Sequence, residues 1–214
     1  MKNENWYEGE YYEDIEKSAP FQEEFKGNKT HRRKIAVKFF RKYGVKKILD
    51  VGCCLGFDAV YFMHEGFKVY ACDVSQKAIE YAKEKNPGPV YFLCDLEKEK
   101  PQGKFDGIYS FEVIEHIVDY DVFLTNLYKS LKKGGILALS TPNVLAPRNR
   151  ISLLLGKDWW FRTKYHLHFF SPSSLKETLE RNGFEVLKIG GSGRISFLGP
   201  NFSGSLVAVA KKEG

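Results

Sequence analysis

An apolar strand runs into a glycine turn in the segment Ile48-Leu49-Asp50-Val51-Gly52-Cys53-Cys54-Leu55-Gly56-Phe57-Asp58. Further along the chain, a second apolar strand ends in an acid at Tyr70-Ala71-Cys72-Asp73. The glycines let the backbone approach a ligand closely, and the acid can accept hydrogen bonds from the two hydroxyl groups of a ribose. This pairing predicts a site for a cofactor that contains a nucleoside.

Strands and helices alternate on both sides of this segment. The sequence predicts strands over 46–51, 67–72, 90–94, 105–110, 136–140, 184–189 and 205–211, and helices over 29–43, 57–65, 75–85, 119–132 and 173–182. The alternation indicates a parallel sheet with right-handed crossovers. The last two strands follow each other without a helix, which predicts one antiparallel strand. We therefore expect a single α/β domain with a Rossmann-like, doubly wound, mainly parallel seven-stranded sheet.

The composition and charge permit an anionic partner without requiring one. The chain has 214 residues, a net charge of +6 and a pI of about 9.0. The basic residues are dispersed and form no long run, which argues against a nucleic-acid partner. The sequence leaves the oligomeric state open.

The spacing of Cys53, Cys54, Cys72 and Cys94 is typical of neither a zinc site nor a disulfide framework. Together with the absence of a signal peptide and of a membrane-spanning apolar run, it predicts a cytoplasmic protein with free thiols.

Two segments stand apart from the alternating pattern. Residues 1–28 are acidic and aromatic and are predicted to form an N-terminal arm or lid, so the domain itself covers 29–214. Residues 141–170 are a long irregular insertion, and loops of this length in a compact domain are usually functional. We expect this insertion to shape the pocket for a second substrate.

Acids close three of the early strands, at Asp50, Asp73 and Asp95. Ligands of open α/β sheets lie outside the carboxyl ends of the strands, so these acids are expected to line one crevice. Each acid taken alone is equally well explained as a helix cap or a surface charge. The chain contains neither the G-x-G-x-x-G fingerprint of dinucleotide binding nor the G-x-x-x-x-G-K-[ST] P-loop.

Five motifs in order resemble those of the class I S-adenosylmethionine-dependent methyltransferases, across about residues 35–190. They are Ile48 to Gly56, Tyr70 to Ser75, Cys94-Asp95-Leu96, Phe105-Asp106-Gly107-Ile108-Tyr109-Ser110 and Leu131 to Leu137. The resemblance implies that the first holds the methionine portion of the cofactor, the second its ribose and the third its adenine. The fourth would lie next to the methyl group.

The resemblance also implies a set of cofactor-binding residues. They are Asp50, Gly52, Cys54, Gly56, Asp73, Val74, Asp95, Leu96 and Ser110. Cys54 departs from the family pattern, which usually has a third glycine at that position. Because cysteine is small, we expect cofactor binding to survive this change.

The segment Glu112-Val113-Ile114-Glu115-His116 carries the acceptor-side chemistry. If it is helical, Glu112, Glu115 and His116 share one face and can bind a divalent cation or relay a proton. The motif resembles those of small-RNA 2′-O-methyltransferases and ubiquinone-pathway O-methyltransferases. In the former, the motif and a later histidine hold a metal; here that histidine would be His166 or, failing that, His168. Three interpretations stay open: a metal site, a catalytic histidine without metal, and solvated charges beside a packing histidine.

The insertion mixes aromatic and cationic side chains, at Asn143, Arg148, Arg150, Trp159, Trp160, Phe161 and Arg162. Such a mixture suits a sugar, a phenol, a phosphorylated group or an RNA end, and the tryptophans can equally seal a lid over the core. The insertion and the residues that follow it resemble those of small-molecule methyltransferases of quinone and sugar biosynthesis. The resemblance thus implies methyl transfer from S-adenosylmethionine to a small-molecule hydroxyl oxygen. The alternatives are an RNA 2′-O-methyltransferase that uses a metal at the E-x-x-E-H motif, and a non-catalytic, cofactor-binding partner subunit.

Overall fold

The computed structural model describes residues 30–157, 165–192 and 199–213. The predicted arm over 1–28 lies outside the described residues, as do Trp159, Trp160, Phe161 and Arg162 of the insertion. No helix within the described ranges is long and apolar enough to cross a membrane.

Six helices and seven strands alternate along the described chain. The helices are α1 (Thr30–Lys42), α2 (Phe57–His64), α3 (Gln76–Lys85), α4 (Tyr120–Ser130), α5 (Pro147–Leu154) and α6 (Pro172–Arg181). The strands are β1 (Lys47–Val51), β2 (Lys68–Asp73), β3 (Val90–Leu93), β4 (Phe105–Phe111), β5 (Leu131–Pro142), β6 (Phe184–Ser192) and β7 (Ser205–Lys212). Short 3₁₀ turns span Ile114–His116 and Pro200–Phe202.

The strands form one seven-stranded sheet in the order β3-β2-β1-β4-β5-β7-β6. The neighbours from β3 through β5 are parallel, whereas β7 runs antiparallel to both β5 and β6. The predicted fold class, including the single antiparallel strand, is confirmed. The chain order reverses beside β1, where β4 pairs with its other edge, and a ligand crevice forms at such a switch point.

Both faces of the sheet are buried. Successive side chains of a strand point to opposite faces, so Ile48 and Leu49 of β1 enter two different apolar clusters. On one face, Phe62 of α2 stacks on Tyr109 of β4 at a centroid distance of 4.2 Å. On the other face, Leu175 of α6 is fully buried in the second cluster. Helices on both faces hold the strands as a rigid platform, and the carboxyl ends of these strands carry the site.

The structure corrects two predicted boundaries. The helix expected over 119–132 ends at Ser130, and β5 begins at Leu131 rather than at 136, because Leu131 already pairs with Phe105 ahead of an irregularity in the register. The insertion is not wholly irregular, since α5 lies within it. A proline at the first turn, Pro147, starts this helix, where its missing N–H leaves no bond unmade.

Candidate active site

A cavity of about 310 Å³ opens at the carboxyl ends of β1, β2 and β4. Its walls come from the glycine turn after β1, the loops after β2 and β3, and the segment after β4. The lining residues are Arg32, Asp50, Val51, Gly52, Cys53, Cys54, Asp58, Asp73, Val74, Ser75, Ala78, Cys94, Asp95, Leu96, Glu97, Phe111, Glu112, Val113, Glu115, His116, Ile117, Phe123, Pro142 and His166.

Most of the predicted cofactor residues meet at this cavity. Asp50, Gly52, Cys54, Asp73, Val74, Asp95 and Leu96 all line it. Gly56 and Ser110 lie behind the wall. Gly56 starts α2 with a positive φ of 82° at a point where an added Cβ would be 2.6 Å from the Tyr91 hydroxyl oxygen. Ser110 is buried and donates a hydrogen bond from Oγ to the Val51 carbonyl at 3.1 Å. These two residues shape the turn without facing its interior.

The turn after β1 is built on left-handed backbone. Gly52 has a φ of 76°, and a Cβ at this position would lie 2.5 Å from Cγ2 of Val113. Cys54 has a φ of 47°. Side chains with a Cβ are disfavoured in this region, which explains in physical terms why a glycine suits position 54. The backbone N–H of Cys54 nevertheless reaches Asp73 Oδ2 at 2.8 Å, so the turn closes with cysteine in place.

Asp73 is fixed at the end of β2 by two backbone donors. Its Oδ2 accepts from the Cys54 N–H, and its Oδ1 accepts from the Ser75 N–H at 3.0 Å. A half-buried carboxylate in a fixed orientation therefore lines the cavity. Asp95 is held in a similar way, since its Oδ1 accepts from the Glu97 N–H at 3.0 Å.

Asp50 lies deeper than the other two acids, at 3% exposure. Burial raises the pKa of its carboxyl well above the usual value, and the negative charge of Asp58 raises it further. Asp50 therefore holds a proton more strongly than an exposed aspartate does.

Two arginines of α1 contribute to the site, and neither was among the predicted site residues. The Arg32 guanidinium lies 3.3 Å from Asp58 Oδ2 and 3.7 Å from Glu112 Oε1, and Arg33 pairs with the other oxygen of Asp58. All three members of the Asp58 cluster are buried. In the sequence, the only local sign of this cluster is a pair of consecutive arginines on the apolar face of a predicted helix. The sign is weak, because their partner Asp58 in α2 is distant in sequence.

The acceptor motif does not form the predicted helical face. Glu112 has a φ of 58°, and the 3₁₀ turn begins only at Ile114, so Glu112 does not share a helical face with Glu115 and His116. Its Oε1 accepts from Ser140 Oγ at 2.8 Å, while Oε2 of the buried Glu115 accepts from Thr141 Oγ1 at 3.0 Å. Burial raises the pKa of Glu115 well above the usual value, and the nearby charge of Glu112 adds to this rise.

Glu115, His116 and His166 converge at the inner end of the cavity. One ligand-type atom from each lies within 4.8 Å of the others, and the two imidazole rings meet edge to face at a centroid distance of 4.8 Å. The Glu115 carbonyl accepts from the Leu167 N–H at 2.7 Å, which brings the loop of His166 to this position. The ring of His168, the second histidine considered from sequence, instead meets Tyr120 edge to face at a centroid distance of 4.8 Å. Glu112 is not part of the converging group.

The geometry assigns a tautomer to His116. Its Nδ1 lies 3.0 Å from the carbonyl oxygen of Tyr165, and a carbonyl can only accept, so Nδ1 carries the proton. In the neutral ring Nε2 is then the basic nitrogen. A histidine oriented in this way, beside a carboxyl group and a second imidazole, can accept a proton from a hydroxyl group.

A second cavity of about 250 Å³ adjoins the first and shares Pro142 and His166 with it. It lies between the end of β5, α5 and the loop that carries the histidines. Its lining residues are Pro142, Asn143, Val144, Arg148, Asn149, Ser152, His166, His168, Phe169 and Gly204.

Comparisons with known proteins show which family the chain belongs to. Residues 21–189 match the model of a methyltransferase domain family. Among curated proteins, the ubiquinone biosynthesis O-methyltransferase of Rickettsia canadensis is 31% identical over 153 residues, which cover 68% of this chain and 65% of that protein. The match therefore spans slightly less than two thirds of the relative.

Solved structures share the fold at lower identity. The magnesium protoporphyrin IX methyltransferase of Synechocystis PCC 6803 with bound SAH has a TM-score of 0.65 at 18% identity, covering 86% of this chain and 84% of that one. A TehB-like SAM-dependent methyltransferase from Corynebacterium glutamicum has a TM-score of 0.69 at 22% identity, covering 95% and 98%.

Proposed function

This chain belongs to the class I S-adenosylmethionine-dependent methyltransferases, and we propose that it transfers the methyl group to a hydroxyl oxygen of a small molecule. The observation that carries the proposal is the junction at His166. There the cavity with the predicted cofactor residues meets a second cavity, beside the basic nitrogen of His116.

The residues of the first cavity fit the cofactor. Seven of its lining side chains carry carboxyl groups, an environment that attracts the positive charge of a sulfonium. The oriented oxygens of Asp73 suit a ribose diol, and the left-handed turn at Gly52 keeps the wall free of a side chain. When bound, S-adenosylmethionine supplies a methyl group that is activated by its sulfonium sulfur.

The chain's own residues would then handle the acceptor proton. As the acceptor oxygen forms its bond to the methyl carbon, the bond from that carbon to sulfur breaks, and S-adenosylhomocysteine is the leaving product. The hydroxyl proton passes to Nε2 of His116, with His166 at the same junction as the other candidate base. The carboxyl group of Glu115 lies close to the pair and, when ionised, stabilises the imidazolium that forms.

Sequence similarity supports oxygen as the acceptor atom, because curated relatives such as those of Rickettsia canadensis and Rickettsia akari, 31% and 30% identical, are named O-methyltransferases. Their names place them in ubiquinone biosynthesis, and the identity of the acceptor here is a separate question.

A metal-assisted version of the same reaction is the second candidate. Glu115, His116 and His166 are ligands of the right types, and a bound cation would lower the pKa of the acceptor hydroxyl. Ligands about 2.1 Å from a cation lie at most about 4.2 Å apart, so the group would have to contract by about 0.6 Å from its present 4.8 Å spread. The proton-transfer role requires no such movement.

Two measurements test the proposal. Calorimetric titration of S-adenosylhomocysteine in the presence of EDTA should show one site of micromolar affinity, and no binding would favour a non-catalytic partner subunit. Transfer of radiolabelled methyl groups to matched phenols and anilines should then favour the phenols. Preference for the anilines would contradict oxygen transfer, and activity that EDTA abolishes and Mg²⁺ restores would select the metal-assisted version.

A further inference from the structure

The two adjoining cavities differ sharply in charge. The first is lined by seven carboxyl groups, one arginine and two histidines. The second has Arg148 and two histidines, and among the described residues no carboxyl group lines it. A molecule that spans the junction at His166 therefore meets an acidic wall on one side and a basic wall on the other.

Arg148 is the charged donor that the second cavity offers. It lies in the first turn of α5, is exposed, and forms no ion pair with the described residues. The side-chain amide groups nearby already donate hydrogen bonds within the protein. Asn143 Nδ2 donates to the Pro200 and Ser203 carbonyls, each at 2.9 Å, and Asn149 Nδ2 donates to the Asn143 carbonyl at 2.9 Å. A guanidinium that forms no ion pair within the described part of the chain, and that lines a cavity, pairs best with a carboxylate or a phosphate, which its two parallel donors match.

From this arrangement we infer that the acceptor carries an anionic group, a carboxylate or a phosphate, which binds Arg148 in the second cavity. This inference rests on the proposed function, because it treats the second cavity as the acceptor site. The charges also orient the acceptor. The acidic side chains of the first cavity, Asp73, Asp95 and Glu97 among them, repel its anionic end, so its hydroxyl group is the part presented to His116 and His166.

The test is a binding measurement on protein saturated with S-adenosylhomocysteine. Phenol, benzoate and phenyl phosphate form a series on one ring with neutral, carboxylate and phosphate groups. By calorimetry, benzoate or phenyl phosphate should bind at least tenfold more tightly than phenol, and the tighter of the two identifies the anionic group. Equal affinity for phenol and the anions, or no binding of any of the three, overturns the inference.

Two arginines of the same helix provide the matched variants. Arg148→Ala should reduce the preference for the anion to less than twofold. Arg150→Ala should leave it unchanged, because Arg150 does not line the cavity and contacts the Asn201 carbonyl at 3.5 Å. A preference that persists in Arg148→Ala, or that Arg150→Ala also removes, assigns the anion to another surface.

The readout is independent of turnover, so the two proposals can fail separately. Transfer to nitrogen rather than oxygen would end the proposed function while the charge preference stands. Loss of the charge preference in a protein that methylates phenols would end the inference alone.

Discussion

His116 and His166 are fifty positions apart in the sequence, yet their rings meet edge to face at a centroid distance of 4.8 Å. The contact depends on Glu115, whose backbone carbonyl holds the loop that follows His166 and whose side chain belongs to the same group. One short turn after β4 therefore supplies the acid and one histidine, and also the anchor for the second histidine.

Removing either histidine should slow methyl transfer without removing the cofactor. We expect His116→Ala and His166→Ala to lower kcat by about 10²–10⁴-fold, the usual contribution of a general base, with little change in the affinity for S-adenosylhomocysteine. The exposed His64 at the end of α2 provides the control, and His64→Ala should leave kcat unchanged. If both histidine variants keep full kcat, the acceptor-side assignment is wrong.

Most of the residues that the sequence assigns to the cofactor line one cavity, and there is a physical reason why sequence can place that cavity. Acids such as Asp50 and Asp73 lie at the carboxyl ends of apolar strands, and parallel strands bring these ends to the same edge of the sheet. Local pattern and global position are thus linked, so adjacent residues suffice to place the crevice.

The acceptor side was predicted less well, because its geometry depends on contacts between distant segments. The spacing of Glu112, Glu115 and His116 predicts one helical face. In the structure, however, Glu112 accepts a hydrogen bond from Ser140 of β5 and Glu115 accepts one from Thr141, the next residue of that strand. Nothing near Glu112 in the sequence signals a φ of 58°. The Asp58 cluster was missed for the same reason, since its partners come from two different helices.

Stability should depend on pH through Glu115. Burial and the charge of Glu112 raise the pKa of Glu115 in the folded protein above the ordinary value of 4.5. At a pH between 4.5 and this raised pKa, the folded protein therefore binds more protons than the unfolded chain. The free energy of unfolding should therefore fall as the pH rises above 4.5. Glu115→Gln should remove part of that slope, and the raised pKa of Asp50 should maintain the rest. Urea unfolding from pH 5 to pH 8 measures both slopes.

The control for this slope is Glu180→Gln, which changes an exposed carboxylate paired with Lys176 at 3.5 Å. It should leave the pH dependence as it is in the unmodified protein. A Glu115→Gln variant whose slope also matches the unmodified protein would show that the buried carboxyl does not titrate as the structure indicates.

The turn after β1 should not tolerate a side chain at Gly52. Gly52→Ala combines a φ of 76° with a Cβ only 2.5 Å from Val113, so strain and steric overlap act together. Gly44→Ala has a similar φ of 66° but nothing within 4 Å of the added Cβ. We expect about 1–2 kcal/mol of destabilisation from backbone strain in the control, and a larger loss together with weaker cofactor binding in Gly52→Ala. Equal losses in the two variants would show that Val113 moves aside freely.

The buried charge cluster of α1 and α2 should matter for folding far more than a surface pair. Asp58→Ala removes the buried carboxylate that Arg32 and Arg33 share, which costs about 3–5 kcal/mol. Glu65→Ala breaks the exposed contact with Arg41 at 2.7 Å and should cost about 0–1 kcal/mol. Denaturant unfolding separates the two. Similar values for both variants would show that water reaches the arginines in solution.

Asp73 is the sharpest test of the cofactor assignment, because its two roles can be separated. Its oxygens accept hydrogen bonds from the N–H groups of Cys54 and Ser75. Asp73→Ala can therefore weaken the binding of S-adenosylhomocysteine either by loosening the turn or by removing the hydrogen bonds to the ribose hydroxyls. Loss of hydrogen bonds to a charged group costs about 1.5–3 kcal/mol, so the affinity for S-adenosylhomocysteine should fall by about 10–100-fold. A 2′,3′-dideoxy analogue lacks the ribose hydroxyls, and its weaker binding should be nearly insensitive to Asp73→Ala. Asp121→Ala, which removes an exposed carboxylate paired with Arg181, should change neither affinity. If Asp73→Ala weakens both ligands equally, Asp73 acts only through the turn, and the ribose must be bound elsewhere.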